Sequence, residues 1–281
     1  MTNVNSGRGR PRKSLGQHFL ADASILDQIV AAAELTDQDT VVEVGPGLGA
    51  LTRRLAQQAG QVIALEIDPH LAATLAGRLD NPANLTVVQS DARTVDLTAL
   101  LGGQTCYKVV ANLPYYAANP IVRRFLEADL PPSLMVVMLQ KEVAQNMVAK
   151  PGDMGILSVA VQYYAEARMV CSVPPRAFRP PPKVSSSVVR LNVRAQPAVN
   201  VDDAVGFFKL VRAGFSARRK QLRNSLAQGL GDPPPKVDAL LLSADVDGRR
   251  RAETLTLDEW AQIYRCWEQQ GAIASASLRQ D

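Results

Sequence analysis

From Thr40 onward the chain repeats one pattern: a short run of β-branched and large apolar residues, then a longer segment of helical periodicity. The runs are Thr40–Val44, Gln61–Ile67, Leu85–Gln89, Tyr107–Ala111 and Leu134–Leu139. Between them lie stretches such as Leu48–Ala59 and Pro69–Leu79, long enough for a helical crossover. Strands that are apolar along their whole length are buried on both faces, and a strand–helix–strand connection sets them parallel. The pattern predicts an α/β fold, a parallel sheet with helices on both sides. Ahead of it, Ile25–Ala33 reads as a short helix. After Lys150 the pattern changes. Gly155–Tyr164 reads as one more helix, and Arg168–Val173 and Ser187–Val193 as a closing antiparallel strand pair, with Pro174–Pro182 between them. A polar stretch near Gln196–Val201 reads as a linker. Beyond it the residues are helical in pattern to about Gln270, interrupted at Gly229–Pro235 and Asp245–Arg249. The expected division is a flexible basic arm over residues 1–13, a main domain over 14–197 and a small all-helical domain over 198–281.

Composition narrows the function classes. A chain of 281 residues, 47% apolar and 21% charged, can bury a sizeable core and is not of disordered type. No apolar run reaches the roughly 18–20 residues that a membrane span needs. Arg8 to Lys13 lead into a mixed amphipathic stretch, so no secretory signal is expected. Cys106, Cys171 and Cys266 show no C-x-x-C spacing, which argues against a disulfide framework and against a metal site and fits a cytoplasmic protein. With only two histidines, His18 and His70, chemistry needing several imidazoles is excluded. The net charge of +4 is mild but unevenly placed. Arg8, Arg10, Arg12 and Lys13 precede the first acid, Asp22, and Arg218, Arg219, Lys220 and Arg223 form a second cluster. A polyanionic partner explains both; so does a basic tail with a solvated helix face.

The first run ends in Gly45-Pro46-Gly47-Leu48-Gly49-Ala50. Glycines let the backbone turn sharply and approach a ligand closely, and the following helix offers free N–H groups. At the end of the second run stands Glu66, an acid able to accept from both hydroxyls of a ribose. The two features predict a nucleoside-containing cofactor at the strand C-termini without saying which, because Gly45-x-Gly47-x-x-Ala50 also satisfies the dinucleotide fingerprint of nicotinamide enzymes. After the third run, Asp91 is placed to meet an adenine amine, or else is a turn residue or helix cap.

The fourth run ends in Asn112-Leu113-Pro114-Tyr115, and this tetrapeptide decides between the cofactors. The lone pair of an exocyclic adenine nitrogen is delocalised into the ring, so the amine is a poor nucleophile. Two acceptors aimed at its hydrogens hold the nitrogen toward tetrahedral geometry and free that pair. The Asn112 side-chain carbonyl and the Leu113 backbone carbonyl can supply them. Pro114 removes a competing N–H and fixes the turn, and Tyr115 offers a flat face on which a base can stack. Transfer of a methyl group from a sulfonium then needs positioning more than a strong base, which suits a chain poor in histidine.

In these motifs together the chain resembles the bacterial ribosomal RNA adenine dimethyltransferases, from Lys13 onward. Lys13-Ser14-Leu15-Gly16-Gln17-His18-Phe19-Leu20 is similar to that family's N-terminal cofactor motif, although His18 taken alone reads as a surface residue. The resemblance implies a Rossmann-like class I S-adenosylmethionine methyltransferase sheet. It implies that His18 and Leu20 contact S-adenosylmethionine, that Gly45 and Gly47 border its methionine part, that Glu66 takes the ribose and Asp91 the adenine amine, and that Asn112 stands at the transferring methyl. Phe178-Arg179-Pro180-Pro181-Pro182-Lys183-Val184 resembles the family's second base-clamping segment, with Phe178 stacking opposite Tyr115. By itself this segment reads as a polyproline loop with a buried Phe. Gln140-Lys141-Glu142-Val143 also matches, with no chemistry assigned.

On the RNA side, Val211, Phe215 and Leu222 fit one helical face with Arg212, Arg219 and Arg223 beside it. That would bury the apolar stripe against the main domain and turn the arginines to phosphates. Phe215–Asn224 and Arg251–Leu255 resemble the family's small-subunit branch. The expectation is therefore N6,N6-dimethylation of two adjacent adenosines in the 3′-terminal hairpin of 16S rRNA, by a monomer acting on the 30S subunit or its precursor, with Arg218, Arg219, Lys220 and Arg223 as RNA contacts. Three alternatives stay open here: a macrolide-resistance-type enzyme modifying one 23S adenine, an NAD(P)-dependent oxidoreductase, and an RNA-binding assembly factor that does not methylate.

Overall fold

The computed structural model describes residues 18–277, with side chains to residue 270. The basic arm over residues 1–13 and the motif positions 13–17 lie outside the described residues. The rest forms two compact units, one of residues 18–144 and 166–193, the other of 145–165 and 194–277.

The first unit is built as the apolar runs predict. Strands β2 (Thr40–Val44), β3 (Gln61–Glu66), β4 (Leu85–Gln89), β5 (Lys108–Asn112) and β6 (Leu134–Gln140) pair in parallel. With β7 (Ala165–Val173) and β9 (Ser186–Val193) they make a seven-stranded sheet in the order β4-β3-β2-β5-β6-β9-β7. β9 runs antiparallel to β6, its register running from Leu134 opposite Asn192 to Gln140 opposite Ser186. Chain order reverses between β2 and β5, the switch point at which open α/β sheets receive ligands. A two-stranded pair, β1 (Phe19–Leu20) with β8 (Phe178–Arg179), sits apart from the main sheet.

Helices start where short acids can cap them. Asp22 accepts from Ser24 and Ile25 N–H at the head of α1 (Ala23–Ala33), and Asp68 accepts from His70 and Leu71 N–H at the head of α3 (Pro69–Arg78), with Pro69 in the first turn. Helices α2 (Ala50–Ala56), α4 (Leu97–Leu101), α5 (Ala118–Leu126) and α6 (Lys141–Met147) complete the crossovers. Ile25, Leu26, Ile29 and Leu55 join Val41, Val62, Val110 and Val136 in one core beneath the sheet.

The second unit holds α7 (Ile156–Tyr164), α8 (Ala204–Gly214), α9 (Leu222–Leu230), α10 (Pro234–Ser243) and α11 (Leu257–Ser277). Its core gathers Tyr163, Phe207, Val211, Phe215, Leu222, Leu226 and Trp260. The contacts therefore divide the chain differently from a single cut at residue 197, because α7 buries Val159, Ala160 and Tyr163 among the C-terminal helices. A second expectation is corrected outright. Val211, Phe215 and Leu222 do not lie on one helix: α8 ends at Gly214, and turns lead to α9 at Leu222. The break follows from packing, since Ser216 Oγ–H donates to the Ser225 carbonyl and Ser225 Oγ–H to the Ala217 carbonyl, stapling a tight corner. The apolar residues fill the core of this unit itself. Among the described residues no helix is long and apolar enough to cross a membrane.

Candidate methyl-transfer cleft

The carboxyl ends of β2, β3 and β5, with the loop after β4, open into a cleft of about 380 Å³ in the first unit. It is lined by His18, Leu20, Gly45, Gly47, Glu66, Asp91, Asn112, Leu113, Pro114, Tyr115 and Phe178, the residues expected at the cofactor and the target base. Parallel pairing brings them together: it places the ends of the central strands side by side, so residues far apart in sequence share one rim.

Gly45 and Gly47 carry φ of +70° and +58°, a left-handed region where a side chain would be strained. They carry the chain from β2 across the cleft floor. Gly47 N–H donates to Glu66 Oε2 at 3.1 Å and Asp68 N–H to Oε1 at 2.9 Å. These bonds hold a side chain that is only 4% exposed, each oxygen keeping acceptor capacity for a further donor. Burial pushes the Glu66 carboxyl upward, and the Asp68 and Gly47 N–H groups oppose that shift.

At the other side of the switch point, Leu113 N–H donates to the Met138 carbonyl (3.0 Å), extending the β5–β6 ladder into the tetrapeptide. The Asn112 amide nitrogen faces the His18 carbonyl at 3.4 Å. A carbonyl only accepts, so this contact fixes which end of the carboxamide is which and turns Oδ1 away from His18. Tyr115 is pinned by its hydroxyl, 2.6 Å from Ser186 Oγ on β9, and its ring lies 6.1 Å from that of His18 at 28°. His18 Nδ1 stands 2.9 Å from the Pro180 carbonyl, and Ala21 N–H donates to the Ala177 carbonyl at 2.8 Å. The N-terminal segment is thus sewn to the 177–180 segment and closes one wall.

Phe178 corrects part of the expectation. It borders the cleft, but its ring is 1% exposed and packs in the core with Val173 and Val188. The pairing of Leu20 with Phe178 draws it inward. As found, it is a wall of the cleft and not an open stacking face. Arg218, Arg219, Lys220 and Arg223 lie in the second unit, all solvent-exposed, the first three in the turns between α8 and α9 and Arg223 in the first turn of α9.

Residues the sequence reading did not single out also line the cleft. Among them are Glu43, Ile67, Arg93 and Tyr116. Glu43 was legible as the one acid in the apolar run Val41-Val42-Glu43-Val44. Its carboxyl is fully buried and burial pushes it up to about 8, with Thr52 opposing and Glu66 adding repulsion. Neither Glu43 Oε2 nor Thr52 Oγ1 has a hydrogen-bond partner among the described residues. A carboxyl whose folded value lies above its unfolded 4.5 binds more protons when folded. Its stabilisation is complete below that unfolded value and is lost as pH rises toward 8, a change on the order of 5 kcal/mol. We expect the melting temperature to fall as pH rises from 5 to 8, and Glu43→Gln to remove most of that slope. Parallel curves for the two proteins would place the proton elsewhere.

The orphaned acid, the anchored Glu66 and the left-handed glycine turn together make a cradle that fits an adenosyl cofactor: acceptors for hydroxyls and amines, and a floor without side chains. Among the described residues no group of three or more His, Cys, Asp or Glu could hold a metal ion.

Comparison with known proteins gives the same direction. Residues 8–269 match the family described as ribosomal RNA adenine dimethylase. A ribosomal RNA small subunit methyltransferase A of Dehalococcoides mccartyi (strain CBDB1) is 48% identical over 262 residues, 93% of this chain and 89% of the relative. The protein of the same name from Pelotomaculum thermopropionicum is 48% identical over 265 residues, covering 90% of each. Among solved structures, a dimethyladenosine transferase from Plasmodium falciparum superposes with a TM-score of 0.77 at 25% identity, over 90% of this chain and 98% of that one. The 23S rRNA methyltransferase ErmE gives 0.71 at 30% identity, over 89% and 99%.

Proposed function

This chain belongs to the ribosomal RNA adenine dimethylase family, and from that premise we propose how its cleft carries out N6,N6-dimethylation of two adjacent adenosines in the 3′-terminal hairpin of 16S rRNA. The observation that carries the reading is the Asn112 carboxamide. It stands at the switch point, its nitrogen committed to the His18 carbonyl, so that its oxygen is left to accept from an amine.

Glu66 would hold the ribose of S-adenosylmethionine, Asp91 its adenine amine, and Gly45, Gly47, His18 and Leu20 its remaining sides. When bound, the cofactor supplies a methyl group on a sulfonium. The protein's own work is done on the target. Asn112 Oδ1 and the Leu113 carbonyl accept the two amine hydrogens and hold the nitrogen pyramidal, its lone pair aimed across the cleft. Tyr115, pinned through Ser186, presents a ring that loses no freedom when a base stacks on it. Phe178 would join as the opposite face once the base enters. After one methyl the amine keeps one hydrogen, and a single acceptor suffices to orient the second transfer. The proton leaves to water, so no histidine base is needed.

Relatives 45–48% identical are named as small-subunit enzymes, so the single-site 23S enzyme and the nicotinamide oxidoreductase are not favoured. An RNA-binding factor without activity would show damage at Asn112 or in the glycine loop, and both are whole. The substrate context is the assembling 30S subunit, met by a monomer. Arg218, Arg219, Lys220 and Arg223 would contact its phosphates from the helical unit. Replacing Arg219 and Arg223 with alanine should weaken subunit binding and lower its salt slope by about two; an unchanged slope makes them bystanders. The reading as a whole is tested with undermethylated small subunits and labelled cofactor, followed by mapping of the modified bases. Label on two adjacent adenosines near the 3′ end of 16S rRNA is expected. Label confined to large-subunit RNA would refute the assignment.

A further inference from the structure

Asp91, the proposed acceptor for the cofactor's adenine amine, already has a partner. Its Oδ1 accepts from Arg93 backbone N–H at 2.9 Å and from Nε–H at 3.0 Å. Its Oδ2 accepts from Nε–H at 3.0 Å and from Nη2–H at 2.6 Å. A carboxylate offers about four lone-pair sites, and Arg93 engages both oxygens with three N–H hydrogens, its Nε–H shared between them. The two side chains are nonetheless 26% and 46% exposed. An exposed pair of this kind holds by no more than about five-fold over its separated partners, so a competing donor can take the acid. Arg93 also has a second neighbour, Tyr116, which directly follows Tyr115, lines the same cleft and is 56% exposed.

We propose that Arg93 is an exchangeable clasp that links cofactor binding to RNA binding. The adenine amine of the cofactor and Arg93 compete for Asp91, and the guanidinium so released becomes a phosphate contact at the cleft mouth beside Tyr116. The proposal rests on the methyltransferase reading above. An adenosine entering beside Tyr115 brings its own phosphates to this mouth, where a freed arginine pairs with them and a clasped one does not. The coupling is reciprocal: RNA that captures Arg93 keeps it off Asp91 and holds the cofactor more tightly. The protein lacking cofactor is then the weaker RNA binder.

The test measures binding of an RNA hairpin bearing two adjacent adenosines, over a salt series, with and without saturating S-adenosylhomocysteine. Wild type and Arg93→Ala are compared, with S-inosylhomocysteine as a probe whose ring carbonyl cannot donate to Asp91. For wild type, S-adenosylhomocysteine should tighten RNA binding about three- to five-fold and steepen the salt slope by about one. S-inosylhomocysteine should do neither. In Arg93→Ala the tightening should vanish, while S-adenosylhomocysteine itself binds several-fold more tightly than to wild type. Equal tightening in both proteins, no tightening in wild type, or weaker S-adenosylhomocysteine binding by Arg93→Ala would overturn the proposal and leave the methyltransferase reading intact. Wild type that binds no S-adenosylhomocysteine at all would refute that reading, and the clasp with it.

Discussion

Asn112→Ala abolishes methyl transfer, lowering the rate by roughly three orders of magnitude, while S-adenosylhomocysteine still binds. The alanine removes the side-chain acceptor proposed to meet the amine; the peptide oxygen of Leu113 cannot by itself hold both hydrogens. The nitrogen then stays conjugated with the ring, and its lone pair lies in the wrong plane. Glu66, Asp91 and the glycine turn are untouched, so the loss should fall on the chemical step and not on cofactor affinity. Single-turnover transfer to small subunits, read beside calorimetric binding of S-adenosylhomocysteine, separates the two. Asn112→Asp should fail almost as badly: a carboxylate facing the His18 carbonyl, now 3.4 Å from the amide nitrogen, sets acceptor against acceptor and displaces the group. Turnover near wild type in either variant would refute the orienting role.

Glu66→Ala should weaken cofactor binding by about two orders of magnitude. The acid is proposed to accept from both ribose hydroxyls, and each such bond to a charged group contributes about 1.5–3 kcal/mol. It also ties the Gly47 and Asp68 N–H groups, at 3.1 and 2.9 Å, to one buried side chain. The deletion therefore loosens the glycine turn as well as removing the acceptor. Glu66→Gln should be nearly as weak, because its NH2 would have to face one of those N–H groups. Transfer measured at cofactor concentrations high enough to saturate the variant should recover much of the lost rate, which distinguishes this defect from that at Asn112. A dissociation constant within a few-fold of wild type would show that the ribose lies elsewhere.

How much of this was open to a reader of the sequence differs by region, and for physical reasons. The central strands announced themselves because burial on both faces forces continuous apolar runs: Thr40–Val44 was legible to the residue, and so was the half-buried edge strand Leu85–Gln89, from its β-branched residues. The cleft was legible as well, because a parallel sheet exposes its strand ends on one rim and each of those ends carries a polar or glycine signature. The divisions between units were less so. Helix α7 follows α6 in sequence, yet it packs with helices much later in the chain, and nothing local to Ile156–Tyr164 specifies that partner. The false continuity from Val211 to Leu222 had a different source. Residues spaced to share a helical face also suit a corner whose two arms converge on one core, and the Ser216–Ser225 staple that makes the corner is a contact between residues nine apart. Phe178 shows the limit of reading by motif. Its segment pointed to a base clamp, whereas the pairing of Leu20 with Phe178, which draws the ring into the core, is a tertiary fact. Arg93 was silent for the same reason: a clasp on Asp91 is visible only once both side chains are placed.

The proposed methyl transfer depends most directly on where the target nitrogen lies. A crystal structure of the protein with sinefungin and an adenosine-bearing RNA hairpin would measure it. The expected result is an adenine N6 about 3 Å from both Asn112 Oδ1 and the Leu113 carbonyl, its ring against Tyr115, with the amine of sinefungin on the open side of that nitrogen. An adenine held elsewhere, with Asn112 still turned only to His18, would contradict it.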